Sequence, residues 1–175
     1  VGLIDCAGLR LQEATDALNA FGEVYLKQTL ASGVIPQITA IFGTCGGGAA
    51  LIPTLTDFTF MTAEGGKLFV NSPNALDGNY QAKLDTASAA YLSENSSLVD
   101  GVFEDDATTL ANIRSLVDML PDNNMEDAES DCTDDLNRII PNLDGFAKDA
   151  RAVLQNIADN NVFVEVKKDY AKDMV

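Results

Sequence analysis

The best candidates for a reactive site form a glycine cluster, Gly43–Ala50, between an apolar run and a stretch of small residues. The apolar run, Pro36–Phe42, predicts a buried strand, and Ala49–Leu55 predicts a short helix. A strand that turns through glycines into a helix leaves backbone N–H groups unpaired, and such groups stabilise an anion or a developing oxyanion. The alternative is a packing turn, in which glycine serves only the close approach of two backbones.

Spacing and composition exclude several other kinds of site. A phosphate-binding P-loop would need Lys and Ser or Thr where Ala49 and Ala50 stand, and the dinucleotide pattern G-x-G-x-x-G is absent. The chain contains no histidine, which excludes Ser-His-Asp and Cys-His catalysis. Any chemistry must therefore rest on carboxylates, on backbone dipoles or on groups that a partner supplies.

The three cysteines are Cys6, Cys45 and Cys132, and they form no C-x-x-C pair. Their odd number and their spacing indicate neither a disulfide framework nor a zinc site, and they favour a reducing, cytoplasmic setting. Cys45 lies beside the glycines without a basic neighbour in the sequence, so a packing role is favoured over a nucleophilic one.

Length and charge restrict the class of protein further. With 175 residues, of which 46% are hydrophobic, the chain predicts one domain with a substantial core. Its net charge of −16 excludes nucleic acid and anionic membrane as partners, and no apolar run is long enough to span a bilayer. Because Val1 already lies in a strand-like run, we expect residues 1–175 to be a single, truncated domain. The acidic stretch Asp122–Asp135 lacks the spacing of a calcium loop, so we predict a solvated surface loop without metal.

Strands and helices alternate along the first sixty residues, which predicts β-α-β units and a parallel sheet. Strands are predicted at 1–4, 36–42, 57–62, 67–70, 98–103 and 162–166. Helices are predicted at 11–32, 49–56, 81–94, 106–120 and 146–157. The glycine cluster would then lie near the carboxyl end of the Pro36–Phe42 strand.

Four segments of the chain occur in the order and spacing of a known family. They are Asp5–Glu13 (DCAGLRLQE), Ala31–Ile38 (ASGVIPQI), Gly43–Ala49 (GTCGGGA) and Pro53–Met61 (PTLTDFTFM). Together they resemble the carboxyltransferase subunit of biotin-dependent acyl-CoA carboxylases and decarboxylases, the acetyl- and propionyl-CoA carboxylase β-subunit family. The likeness continues more loosely to the end of the chain and matches the later part of the family's first domain.

This resemblance implies an α/β fold of the crotonase (ClpP/crotonase) type, in which β-β-α units form a spiral. It implies an enzyme that moves a carboxyl group between carboxybiotin and the α-carbon of an acyl-CoA. In the family, the motif G-x-C-x-G-G-A binds the acyl side, so Gly47 and Gly48 would stabilise the oxyanion, and Gly46 and Ala49 would contact substrate. Biotin would come on a carrier protein or domain, a second carboxyltransferase domain would complete the site, and the full-length subunit would be a homo-oligomer.

Three points stay open at this stage. A malonate-decarboxylase-like subunit, or a non-catalytic assembly module of the same fold, would share the glycine pattern. Residues Asp77–Leu84 differ from the family pattern, so the choice of acyl group is not predicted. Arg10, Gln12 and Glu13 are interpreted as anchors of a loop and a helix start rather than as substrate ligands.

Overall fold

The computed structural model describes residues 1–75, 84–126, 132–135, 137–140, 145 and 148–174. A five-stranded sheet forms its centre, and every strand pair in it is parallel. The strands are β1 (Gly2–Cys6), β2 (Ile38–Gly46), β3 (Phe58–Thr62), β4 (Lys67–Phe69) and β5 (Gly101–Phe103). The predicted α/β class with a parallel sheet is therefore confirmed.

Strand β2 is the centre of the sheet and pairs with three neighbours. It pairs with β1 along one side, and on the other side its first half pairs with β3 and its second half, Thr44–Gly46, pairs with β4. Residues Ile38–Ile41 are all buried, since both faces of the sheet are covered at this point. The order β1-β2-β3-β5 brings the carboxyl ends of β1 and β2 side by side.

Four α-helices are described, together with short 3-10 turns. They are α1 (Ala14–Ala31), α2 (Ala89–Asn95), α3 (Asp106–Val117) and α4 (Ala150–Ile157). From the sequence, either Asp105 or Asp106 could cap α3; Asp105 does so by accepting a hydrogen bond from the N–H of Thr108. Ser88 caps α2 and Asp149 caps α4 in the same way.

Two apolar clusters form the core, one on each face of the sheet. On one face Ile38 and Ala40 pack with Ile113 and Leu116 of α3. On the other face Ile4, Ile41 and Met61 pack with Cys45, near the carboxyl end of β2, and with Ala49, which follows this strand. The second cluster therefore packs directly against the glycine turn through Ala49.

Several predicted elements are shorter or interrupted. The helix predicted at 11–32 is a 3-10 turn, Leu11–Glu13, followed by α1, because Ala14 has a φ of 42° that no continuous helix allows. The helix predicted at 49–56 is a pair of 3-10 turns, Gly47–Leu51 and Pro53–Leu55. Proline has no N–H with which to continue the first turn.

Predictions for the second half of the chain fared unevenly. The strand predicted at 162–166 is wrong, because these residues are extended but pair with no strand in the described part of the chain. The helix predicted at 81–94 begins only at Ala89, and its residues 81–83 lie outside the described residues. The helix predicted at 146–157 begins at Ala150, and Phe146 lies outside the described residues as well.

Candidate functional site

The site that the sequence predicted lies where β1 and β2 end. Gly8, two residues after β1, has a φ of 126°, and a Cβ built on it would lie 3.4 Å from the carbonyl oxygen of Gly46. A Cβ on Gly47 would lie 3.8 Å from the Cα of Gly8. The two segments thus contact each other backbone to backbone, and the positive φ of Gly8 and of Gly47, 126° and 59°, explains glycine at both positions.

A side chain of β1 fixes the geometry of β2 just before the turn. The Asp5 carboxylate accepts a hydrogen bond of 2.9 Å from the N–H of Thr44, and a side chain on Gly43 would overlap this carboxylate. The strand register shifts between Ile4 and Cys6 at this point. Gly43 is therefore not the start of the turn, as the sequence suggested, but a position in β2 where Asp5 needs the space.

The turn itself begins at Gly47, four residues later in the glycine cluster than expected. Gly46 is extended, with φ −119° and ψ 157°, and ends β2, while Gly47 has a left-handed φ of 59°. A Cβ on Gly46 would lie 2.8 Å from the carbonyl oxygen of Ala7 and 2.9 Å from the Phe69 ring. Only glycine can occupy this position without displacing its neighbours.

The 3-10 turn Gly47–Leu51 places the N–H of Gly48 at its head. A 3-10 hydrogen bond joins each N–H to the carbonyl three residues earlier, so the N–H groups of Gly47 and Gly48 precede the turn's own ladder. The Gly47 N–H directly follows the Gly46–Phe69 pair of the β2–β4 ladder, which directs it to the Phe69 carbonyl oxygen. Among the described residues, the Gly48 N–H donates to no side chain and to no loop carbonyl. Gly47 and Gly48 are both partly exposed, whereas Gly46 and the Ala49 side chain are buried.

Helix α1 contacts the turn through two aromatic residues, Phe21 and Tyr25. The sequence analysis assigned neither of them to the site. The Tyr25 hydroxyl donates a hydrogen bond of 2.5 Å to the carbonyl oxygen of Gly48. The ring of Phe21 stacks on that of Tyr25, with centroids 6.0 Å apart. The one signal in the sequence was the phenolic hydroxyl on the inner face of an amphipathic helix, since such a group needs a hydrogen-bond partner.

Cys45 is fully buried, and its thiol lies 3.3 Å from the carbonyl oxygen of Ala49. Burial, with a smaller contribution from Cys6, raises the pKa of the Cys45 thiol to about 12. The thiol is therefore protonated at neutral pH, and its environment is that of a packing residue. This agrees with the interpretation made from the sequence.

The polar residues of the first motif lie on the surface. Arg10 and Glu13 form an exposed ion pair of 3.5 Å around the 3-10 turn, and Gln12 is exposed between them. Exposed pairs of this kind contribute little to stability. The anchoring role predicted for the three residues stays a prediction.

The described part of the chain offers neither a metal site nor a membrane-spanning helix. Within it, no group of three or more His, Cys, Asp or Glu side chains is placed to hold a metal ion. Of the acidic stretch, Asp122–Glu126 and Cys132–Asp135 are described, and the rest lies outside the described residues. None of the helices in the described ranges is long and apolar enough to cross a membrane.

Comparison with known proteins adds independent information. The family model described as the carboxyl transferase domain matches residues 1–175. Methylmalonyl-CoA decarboxylase subunit alpha of Propionigenium modestum is 36% identical over 186 aligned positions, which cover 100% of this chain and 36% of that protein. Propionyl-CoA carboxylase beta chain of Roseobacter denitrificans gives the same identity and the same coverage.

A solved structure shows the same fold. The structure of transcarboxylase 12S with methylmalonyl-coenzyme A and methylmalonic acid bound superimposes with a TM-score of 0.83 at 31% identity. The match covers 97% of this chain and 35% of that one, so the chain spans about a third of the length of its relatives. The predicted crotonase-like fold and the resemblance stated from the sequence are thereby confirmed. Because the family model matches this chain over all of residues 1–175, the chain belongs to the carboxyl transferase domain family.

Proposed function

We propose that this chain is part of an acyl-CoA carboxyltransferase subunit that moves a carboxyl group between carboxybiotin and the α-carbon of an acyl-CoA. The observation that carries the proposal is the 3-10 turn at Gly47, with the N–H of Gly48 at its head and a partly exposed surface. The substrate class follows from the relatives, whose names specify propionyl-CoA and methylmalonyl-CoA. We therefore expect a short acyl-CoA of this kind.

Gly47 and Gly48 form the oxyanion site in this proposal: Gly48 supplies its N–H, and Gly47, with its left-handed φ, gives the turn the bend that orients this N–H. When the α-carbon loses its proton or its carboxyl group, the electron pair of the broken bond delocalises onto the thioester carbonyl oxygen. An N–H group that points at this oxygen stabilises the resulting enolate without any histidine. The absence of Cβ atoms on both residues lets the thioester approach the backbone closely.

Gly46 and Ala49 have a supporting part in this account. The sequence assigned both to substrate binding, and both are buried. We propose that they act through the shape of the turn: Gly46 lets β2 pass close to Ala7 and Phe69, and Ala49 anchors the turn in the core. A larger side chain at either position would move the N–H of Gly48.

Carboxybiotin, on a carrier protein or domain, supplies the carboxyl group, and in the reverse direction biotin on the same carrier accepts it. The described groups around the turn are backbone amides, a phenol bonded to Gly48 and a buried thiol, and these fit the acyl side of the reaction. We assign no biotin contact to this chain. A second carboxyltransferase domain would complete the site.

We also propose that the full-length subunit is an oligomer and that it works in the cytoplasm. The apolar residues Leu18, Leu26 and Leu30 on the outer face of α1 are all more than half exposed, as expected of a subunit that packs against further protein. The transcarboxylase 12S relative is described as a hexamer. The three cysteines are free thiols, which suits a reducing cytoplasm.

The test is a carboxyl-transfer assay with the full-length subunit that contains this chain, its biotin carrier and propionyl-CoA or methylmalonyl-CoA. Transfer of labelled carboxyl between carrier and acyl-CoA supports the proposal. Binding of acyl-CoA without transfer in the complete complex would favour a non-catalytic module. Transfer from malonyl groups on an acyl carrier, with none from acyl-CoA, would favour the malonate-decarboxylase alternative.

A further inference from the structure

The glycine turn is held by a single side-chain hydrogen bond from α1. Tyr25 donates from its hydroxyl to the carbonyl oxygen of Gly48, at 2.5 Å, and is 23 residues away in the sequence. In the described part of the chain, no other side-chain hydroxyl donates to the residues Gly46–Gly48. The orientation of this turn therefore depends on a contact from outside it.

The bond matters because the turn is intrinsically loose. Gly47 has a φ of 59° and Gly48 follows it, and consecutive glycines have more backbone freedom than any other pair. The carbonyl that Tyr25 binds belongs to the peptide unit between Gly48 and Ala49. Fixing this peptide plane also fixes ψ of Gly48, and with Ala49 in the core it restricts where the N–H of Gly48 points.

The surrounding packing leaves little room for the turn to move toward α1. A Cβ built on Gly48 would lie 3.1 Å from the Tyr25 hydroxyl oxygen and 3.2 Å from Cδ2 of Phe21. Phe21 in turn stacks on Tyr25 at an interplanar angle of 21°, which restricts the phenol ring. The donor is thus itself held in place by its neighbour on the helix.

We propose that Tyr25 is a positioning residue for the acyl-CoA oxyanion site, which sets the direction of the Gly48 N–H through its hydrogen bond to the Gly48 carbonyl. This inference rests on the function proposed above and deepens it. It assigns no contact between Tyr25 and substrate. The role requires only that the phenol remains a donor while the enzyme works.

The chemistry of the phenol meets this requirement. Burial, and to a smaller extent the proximity of the Cys45 thiol, raises the pKa of Tyr25 above its ordinary value of about 10. The hydroxyl is therefore protonated and able to donate over the whole neutral and mildly alkaline range. A carbonyl oxygen can only accept, so the direction of the bond is unambiguous.

The test is Tyr25→Phe in the full-length subunit, which keeps the ring and removes only the donor. We expect kcat to fall about tenfold, because a small misplacement of an oxyanion donor lowers the rate without abolishing it, and KM for acyl-CoA to stay within about twofold. Tyr91→Phe is the matched control, since in the described residues its hydroxyl has no hydrogen-bond partner. This control should leave both constants unchanged.

A second measurement separates positioning from general stability and needs no activity. In amide NMR spectra of the protein, Tyr25→Phe should shift the signals of Gly48 and Ala49 most, because the lost bond ends on the peptide between them. A kcat of Tyr25→Phe within twofold of wild type would overturn the inference, as would unchanged Gly48 and Ala49 signals. A wild-type complex that transfers no carboxyl group would instead overturn the proposed function.

Discussion

Asp100 offers the sharpest test of what holds this fold together, because a single buried carboxylate joins three parts of the chain. It is 5% exposed, lies just before β5 and accepts a hydrogen bond of 2.7 Å from the buried N–H of Thr59 in β3. Its other carboxylate oxygen pairs with the ammonium group of Lys167. The Lys167 N–H also donates to the Asp100 carbonyl at 2.8 Å, which attaches the C-terminal segment to the sheet.

The cost of removing this carboxylate can be estimated from its partners. Asp100→Ala leaves the N–H of Thr59 buried without a side-chain acceptor, which costs about 1–3 kcal/mol. The lost ion pair adds about 1 kcal/mol or less, because the Lys167 side chain is 38% exposed and water screens the charge. We expect the free energy of unfolding to fall by about 1–4 kcal/mol in Asp100→Ala. Asp100→Asn keeps an acceptor for Thr59, so its loss should be about half as large.

Urea unfolding followed by far-UV circular dichroism measures this difference. Glu94→Gln is the matched control, because it removes one partner of an exposed ion pair, Glu94–Lys172 at 3.6 Å, and should cost less than about 0.5 kcal/mol. If Asp100→Ala lost no more stability than this control, the carboxylate would not join the three segments as described. Hydrogen exchange at the Thr59 amide should accelerate in Asp100→Ala and not in the control.

Three further predictions concern Cys45, Gly43 and Asp105. Because burial raises the pKa of Cys45 to about 12, iodoacetamide at pH 8 should leave this thiol unlabelled in the folded protein while the other two react; equal labelling by mass mapping would contradict its burial. Gly43→Ala should lower the free energy of unfolding by about 1–3 kcal/mol, because the new methyl group meets the Asp5 carboxylate, and an unchanged urea midpoint would contradict that contact. The N–H of Thr108 lowers the pKa of Asp105, so its capping contribution is complete above the ordinary value of about 4 and is lost as the pH falls through the lower folded value. The stability difference between wild type and Asp105→Ala should therefore shrink in urea titrations below about pH 4, and a difference independent of pH would count against the cap.

The sequence predicted the parts of the fold that depend on local pattern. The apolar run before the glycines indicated a buried strand, and Asp105 or Asp106 before an apolar stripe indicated a capped helix. Alternation misled at residues 162–166, where a strand-like pattern stays unpaired among the described residues. Lys167 fixes the end of that segment on Asp100, a contact 67 residues away that no local pattern encodes.

The candidate site was predictable in type and not in detail. The glycines and their order indicated backbone donors, and the turn does follow the carboxyl end of β2. Its exact start depends on contacts between distant segments: Gly43 makes room for Asp5, and Gly46 passes close to Phe69. The contact of Tyr25 with Gly48 depends on how α1 crosses the turn, which is a property of the tertiary structure.

The central claim, that the N–H of Gly48 stabilises an oxyanion, can be tested by removing that N–H alone. Gly48→Pro deletes the donor, and proline is tolerated in the first turn of a helix. Gly48→Ala adds a Cβ in the same place but keeps the donor, and Gly22→Ala adds a Cβ at a helix position with open space around it. The three variants separate the donor from the effect of bulk.

The decisive measurement is the carboxyl-transfer rate of Gly48→Pro relative to Gly48→Ala in the full-length subunit, with the Kd for acyl-CoA measured alongside. We expect carboxyl transfer by Gly48→Pro to be at least about a hundredfold slower than by Gly48→Ala, because one oxyanion donor contributes about that factor. The Kd should differ by less than about threefold, since the lost interaction is made mainly in the transition state. Equal transfer rates in the two variants would contradict the account and leave the glycines as packing residues.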